Sequence, residues 1–212
     1  MKGLLINNFY SMLSNVKLTL GMALIMTLAP IFIRESSFIP TIMGVQIFLF
    51  VVYTGTSLQA DESSKWSKFE ITLPVKRKTI INAKYVSSII LIAIGVLIST
   101  LTAILSSITI SNINTDFLVF GYCFGLTLSI NTVAFMYPII LKIGAEKNEL
   151  ILLLACGFSL GVMLLTSFLL SLFNHGIKFS SPVVGITSVI VSVLLLVLSY
   201  FLSIQIHRKK EF

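Results

Sequence analysis

The chain has 212 residues, of which 56% are hydrophobic and only 11% are charged. A soluble domain carries about 25% charged residues, so a water-facing surface is excluded and lipid is the expected solvent. At about 20 residues per helical crossing, the length holds six spans with short loops and no soluble enzyme domain beside them. The net charge of +7 does not point to nucleic acid, because the bases lie in loops beside apolar runs, a pattern that orientation in a bilayer explains.

In chain order, the first segment is MKGLLINNFYSMLSNVK. Asn7, Asn8, Ser11, Ser14 and Asn15 interrupt its apolar residues and no A-x-A-like site follows, so it does not read as a signal peptide. Leu5, Phe9, Met12, Leu13 and Val16 recur at helical spacing. This predicts a helix over 1–17 lying in the headgroup plane with its apolar stripe in the acyl boundary. The competing reading is a cytoplasmic extension of the first span. Six apolar runs of spanning length follow, at about 18–33, 38–60, 85–110, 117–141, 150–173 and 183–206. They are continuous rather than alternating, which argues against a barrel. The expected fold class is therefore all-α: a polytopic membrane protein of six transmembrane helices.

Loop charge sets the expected orientation. With the N-terminus in the cytoplasm, thirteen of the fifteen Lys and Arg residues fall on the inside, and only Arg34 and Lys178 on the outside. By the positive-inside rule, both termini are expected in the cytoplasm of a multi-pass plasma-membrane protein. The outer loops RESS, SNINTD and NHGIKFSSP leave no room for an external domain.

The spans lack ionisable residues in their central parts, where proton- or sodium-coupled transporters usually carry them. Asn131 is the most central strongly polar residue, and Gln46 and Gln205 lie nearer the ends. Asn131 is expected to bond a Ser or Thr on a neighbouring helix, with a substrate contact as the sharper alternative. Pro30 and Pro138 are expected to mark kinks near helix ends. Gly121-x-x-x-Gly125 and Gly157-x-x-x-Gly161 permit close helix approach, read here as packing within one chain rather than a seam between two. Cys123 and Cys156 sit inside apolar runs without a CxxC or Cys/His cluster, so neither a metal site nor a disulfide is indicated. HExxH, GxSxG, an aspartyl pair and GxxxxGK[ST] are all missing from the sequence. His175 and His207 have no catalytic partner nearby. An intramembrane enzyme is thus disfavoured, and any active transport must draw its energy from another polypeptide.

The longest polar stretch is ADESSKWSKFEITLPVKRKTIINAKY, residues 60–85, with Asp61, Glu62 and Glu70, six bases, and the only tryptophan, Trp66. Its region 61–84 lacks glycine. Asp61 and Ser63 are N-cap candidates, and Trp66, Phe69 and Leu73 follow at i, i+3 and i+7 as one apolar stripe. Pro74 is expected to end this helix, and the cluster Lys76-Arg77-Lys78 follows at headgroup level. Either Trp66 and Phe69 anchor the helix in the lipid interface while the bases pair with anionic lipid, or they are buried anchors docked in a groove of a cytoplasmic partner.

The DESSKW…LPVKR…AKY segment between spans two and three, the MKGLLINNFY start and the order of the spans resemble the ABC-2 type permeases. The likeness extends to the small Gram-positive permease subunits of the phenol-soluble modulin exporter type. The matching loop positions are Asp61, Glu62, Trp66, Leu73, Pro74, Arg77, Lys84 and Tyr85. The resemblance implies that 1–212 is a single transmembrane permease domain, paired with a second permease chain and with two ATPase subunits that hold the ATP and Mg; no cofactor is expected on this chain, and it is not itself an enzyme. It further implies a cytoplasmic coupling helix that contacts the ATPase through Asp61, Glu62, Lys65, Trp66, Phe69 and Leu73, with Pro74, Arg77 and Lys84 holding the loop at the membrane surface. A path without buried charge suits amphipathic or lipid-like cargo better than small ions, and the resemblance implies export of amphipathic or cytolytic peptides. Phe48, Phe50, Tyr53, Phe120, Tyr122, Phe124, Phe135 and Met136 are candidates to line it, against the plainer reading as packing or lipid-facing residues. The competing function is a non-transporting immunity or sensor-anchor protein that binds a cytoplasmic partner through 61–84.

Overall fold

The computed structural model describes residues 2–33, 35–66, 69, 76–110, 114–173 and 179–209. Among them there is no strand. The helices are α1 (Lys2–Thr27), α2 (Ala29–Phe32), α3 (Ile39–Ser63), α4 (Arg77–Thr109), α5 (Thr115–Ile143), α6 (Asn148–Phe173) and α7 (Pro182–Lys209), with a 3-10 turn at Ser36–Phe38 before α3. Six stretches are long and apolar enough to cross a membrane, the first running from α1 into α2. Pro30 opens α2, so it separates α1 from α2, whereas Pro138 lies inside α5.

Two expectations about boundaries are corrected. The segment 1–17 is not a separate interfacial helix: α1 is continuous through Thr27 and packs against α3 and α4. Its polar residues face the bundle rather than water. Asn8 is buried and its Nδ2 donates to Ser87 Oγ at 3.4 Å, Ser11 meets Ser57 at 2.9 Å, and Asn15 donates to Thr56 at 3.4 Å, while Ile6, Tyr10 and Leu13 are exposed. In lipid, side-chain hydrogen bonds join helices and apolar side chains cover the outside, which inverts the stripe expected of a helix at the membrane surface.

The second correction concerns 60–85. Asp61 and Ser63 do not start a new helix; they end α3, and α4 begins at Arg77, eight residues before the expected start of the third span. Asp61 and Lys84 lie within the two helices, where each neutralises the other inside the fold, as described below.

Helix α5 is the centre of the bundle. It packs most heavily on α7 and α3, then on α6. Asn114 caps its start, accepting from the Asp116 backbone N–H at 2.9 Å. Close approach to α3 rests on glycine: a Cβ on Gly121 would come within 2.8 Å of Pro40 Cα, and one on Gly125 within 2.9 Å of Gly44 Cα. Gly95 brings α4 equally near, its Cβ position lying 2.9 Å from Ile47 Cα. Around these crossings Ile47, Val51 and Leu58 of α3 pack with Ile81, Tyr85 and Ile92 of α4 and Val133, Met136 and Ile140 of α5. Gly157 and Gly161, in contrast, have nothing within 4 Å of their Cβ positions. The first Gly-x-x-x-Gly pair therefore packs within the chain as expected, and the second does not.

Polar groups within the bundle divide in the same manner. Gln46 is fully buried and joins three helices: its Nε2 donates to Ala23 O at 3.0 Å and its Oε1 accepts from Thr102 at 2.8 Å. Asn131 is equally buried, yet neither its Nδ2 nor its Oδ1 has a hydrogen-bond partner among the described residues. The interhelical bond expected for it is not made. Thr127, one turn earlier, meets Ser188 of α7 at 3.0 Å, but Ser192, one turn further along α7, donates to Ser188 O instead. Of the aromatic and Met residues considered for a cargo path, Phe50, Phe120 and Met136 are core residues. Phe120 stacks on Phe124 and Phe135 on Phe158, with centroids 6.2 and 5.0 Å apart.

Candidate functional site at the polar end

The ends of α3 and α4 meet the α5–α6 turn and the last turn of α7 at one end of the bundle. Three charged residues of 61–77 tie this end together, each to a different element.

Asp61, in the last turn of α3, accepts from Lys84 Nζ of α4 at 2.5 Å, and both side chains are largely buried. Burial of either charge alone would cost several kcal/mol, so each accounts for the other's position. The second layer is polar as well: Tyr137 of α5 donates to Lys84 O at 2.9 Å and meets Ser88 Oγ at 2.5 Å. Lys84 is thus placed against Asp61 inside the bundle, rather than reaching from the loop to the membrane surface.

Glu62, the next residue, turns the other way. Its carboxylate accepts from the backbone N–H of Ala145, in the turn between α5 and α6. That turn depends on Gly144, whose φ of +103° suits glycine, and whose Cβ position lies 2.9 Å from Glu62 Oε1. A side chain at 144 would therefore meet both backbone strain and the carboxylate.

Arg77 opens α4 and reaches α7. Its Nη1 donates to His207 O at 3.1 Å and to Arg208 O at 2.9 Å. The last carbonyls of a helix have no partner within it, and a cation there also complements the helix dipole. Nearby, Tyr85 OH contacts Ser199 and Ser203 of α7, both at 2.8 Å, and Tyr200 OH donates to Asn82 Oδ1 at 2.6 Å. These bonds close α4 against α7.

Beyond this base the chain turns sharply. Ser64 N–H bonds to Ala60 O, Lys65 N–H bonds to Glu62 O, and Lys65 takes φ +57°, a helix stop in the left-handed region. Trp66 and Phe69 then lie together with ring centroids 5.3 Å apart; Trp66 is half-buried and Phe69 exposed. The i, i+3 apolar pair is therefore adjacent in space. Leu73 and Pro74 lie outside the described residues, as does the expected end of this helix. Of the predicted site residues, Asp61, Glu62, Arg77 and Lys84 form the clamped base, Lys65 is exposed at the turn, and Trp66 and Phe69 stand beyond it. Sequence reading did not find the role of Glu62 as a tie to the α5–α6 turn, nor the Asn82–Tyr200 bond; neither has a local sequence signature.

Among the described residues no group of three or more His, Cys, Asp or Glu could hold a metal ion. What the geometry provides is a segment whose two ends are tied to one another, to the α5–α6 turn and to the end of α7.

No curated protein and no solved structure matches the chain. A family model described as "ABC-2 family transporter protein" matches residues 3–208. With nearly the whole chain covered and six helices able to span a membrane, the protein is a multi-pass membrane component that belongs to the ABC-2 family of transporters.

Proposed function

We propose that this permease subunit is driven by a separate ATPase through the loop 61–76, with Trp66 and Phe69 as the docking anchors and Asp61, Glu62 and Arg77 as the ties that pass the motion on. The observation that carries this reading is the contrast in the loop itself: a base fixed by charge on three elements and an aromatic pair standing outside it. An anchor pair in the lipid interface would need no such base. The distribution of bases, thirteen of fifteen on this side of the spans, supports placing the polar end and both termini in the cytoplasm, where an ATPase is available. A second permease chain and two ATPase copies complete the assembly in this reading.

The cargo we infer is an amphipathic peptide, exported. The support is chemical: the only ion pair among the described residues, Asp61–Lys84, sits at the end of the bundle, and the middle of the spans carries no charge that would suit a small ion.

The test is a pull-down of the detergent-solubilised chain from its own membrane, with wild-type and Trp66→Ala/Phe69→Ala baits, read by mass spectrometry. Wild type is expected to recover a P-loop ATPase, and the double variant to lose it, since removal of desolvated anchors costs about 2 kcal/mol or more each. Recovery of the ATPase by both baits would assign the pair to lipid anchoring. Recovery by wild type alone, with no peptide-stimulated ATP turnover in vesicles, would favour a non-transporting immunity or sensor-anchor subunit.

A further inference from the structure

Beside the edge contact of Tyr85 and Tyr200, whose ring centroids are 5.5 Å apart, α4 and α7 part to leave a cleft of about 440 Å³ that both rings help line. Its walls are Val86 and Ile89 of α4 and Leu196, Val197 and Phe201 of α7. Towards the polar end it narrows at Asn82, whose Oδ1 is taken by Tyr200; the Asn82 amide N–H groups make no bond among the described residues. Helical spacing extends the α4 wall by one turn and the α7 wall by two turns towards the polar end. Lys78 is four residues before Asn82 on α4, and Arg208 is seven residues after Phe201 on α7, so each falls on the cleft side of its helix. Both are exposed and neither makes an ion pair among the described residues. Arg77, beside Lys78, bonds to Arg208 O, which draws the two ends of the walls together.

We infer that this cleft is a binding site for one anionic phospholipid, with its phosphate between Lys78 and Arg208, its glycerol region at the Asn82 amide and an acyl chain between α4 and α7. Two features select this occupant. The first is charge: two cations close the polar mouth, with no described carboxylate beside them. Asp61 is paired with Lys84, and Glu62 is on the α5–α6 turn. The second is length. From Lys78 to Ile89 is about 16 Å along the helix, close to the half-thickness of a hydrocarbon core of about 30 Å. A lipid held at Lys78 would therefore reach Ile89, the deepest α4 residue of the cleft, within about one leaflet. The site needs only a membrane-embedded chain, so it stands apart from the reading of the 61–76 loop.

The test is native mass spectrometry of the full chain in detergent, titrated with phosphatidylglycerol and with phosphatidylcholine of the same acyl chains. One phosphatidylglycerol is expected to be retained, preferred about thirtyfold, the sum of two bases at an anionic surface. Lys78→Gln/Arg208→Gln is expected to remove the preference, and Val197→Trp, which fills the cleft, to remove the retained lipid. Lys147→Gln, at the exposed α5–α6 turn, is expected to change neither. Equal binding of the two lipids, or a preference that survives the double charge variant, would overturn the site and leave an annular lipid only. The charge variant lies on the surface and keeps the test decisive even if Val197→Trp does not fold. Displacement of the lipid by an amphipathic peptide at equal concentration would also overturn the assignment, giving the cleft to cargo.

Discussion

The two Gly-x-x-x-Gly pairs occupy neighbouring helices and have opposite roles. In α5, Gly121 and Gly125 let the α3 backbone in; in α6, Gly157 and Gly161 face open space. The spanning stretch of α5 is 67% buried and that of α6 only 28%, which explains the difference. A small residue brings backbones together only where a partner helix is present, so the motif records a possibility and the neighbours decide its use.

Substitutions break or sharpen this contrast. The largest effect is expected from Asp61→Ala, which leaves Lys84 buried without its counter-ion; about 3–5 kcal/mol should be lost, read as a lower thermal midpoint in detergent. Asp61→Ala/Lys84→Ala should recover part of that loss, which a double-mutant cycle measures. Gly125→Leu comes next. Its side chain would enter the space held by Gly44, and overpacking of this kind costs about 1–3 kcal/mol, again read by thermal unfolding. Asn131→Leu should act in the opposite direction. Removing an amide that is buried without partners is expected to stabilise the chain by about 1 kcal/mol or more. A rise in stability accompanied by loss of transport would assign Asn131 to a second conformation of the bundle. Gly157→Leu is expected to leave the stability of the isolated chain within about 0.5 kcal/mol. A large loss there, equal to that of Gly125→Leu, would end the comparison.

The six spans were legible because continuous apolar runs and alternating loop charge are properties of the chain itself. Their ends were not. Reading Asp61 and Lys84 as loop residues placed a loop from 61 to 84, whereas helix α3 runs to Ser63 and α4 starts at Arg77. The two residues are 23 positions apart, and nothing local marks them as partners. The amphipathicity of 1–17 misled for a related reason. Stripe patterns show that a helix has two faces, but in a membrane the polar face turns to the bundle, as Asn8, Ser11 and Asn15 do. The pairing of Trp66 with Phe69 was legible from their i, i+3 spacing. The anchorage of the same loop was only half legible: Arg77 was marked by its basic cluster, but its bonds to α7 carbonyls 130 and 131 residues away have no sequence trace.

These separations also order the assembly of the chain as it is synthesised. Asp61 and Lys84 lie on consecutive helices, so their charges can neutralise one another as soon as α4 has followed α3, and the hairpin can enter the bilayer without a naked ion. Glu62 must wait until Ala145 has been made, 83 residues further on. Arg77 must wait for the end of α7. The loop that is clamped three ways in the finished bundle is therefore held by one tie at first and acquires the others only as the later helices arrive.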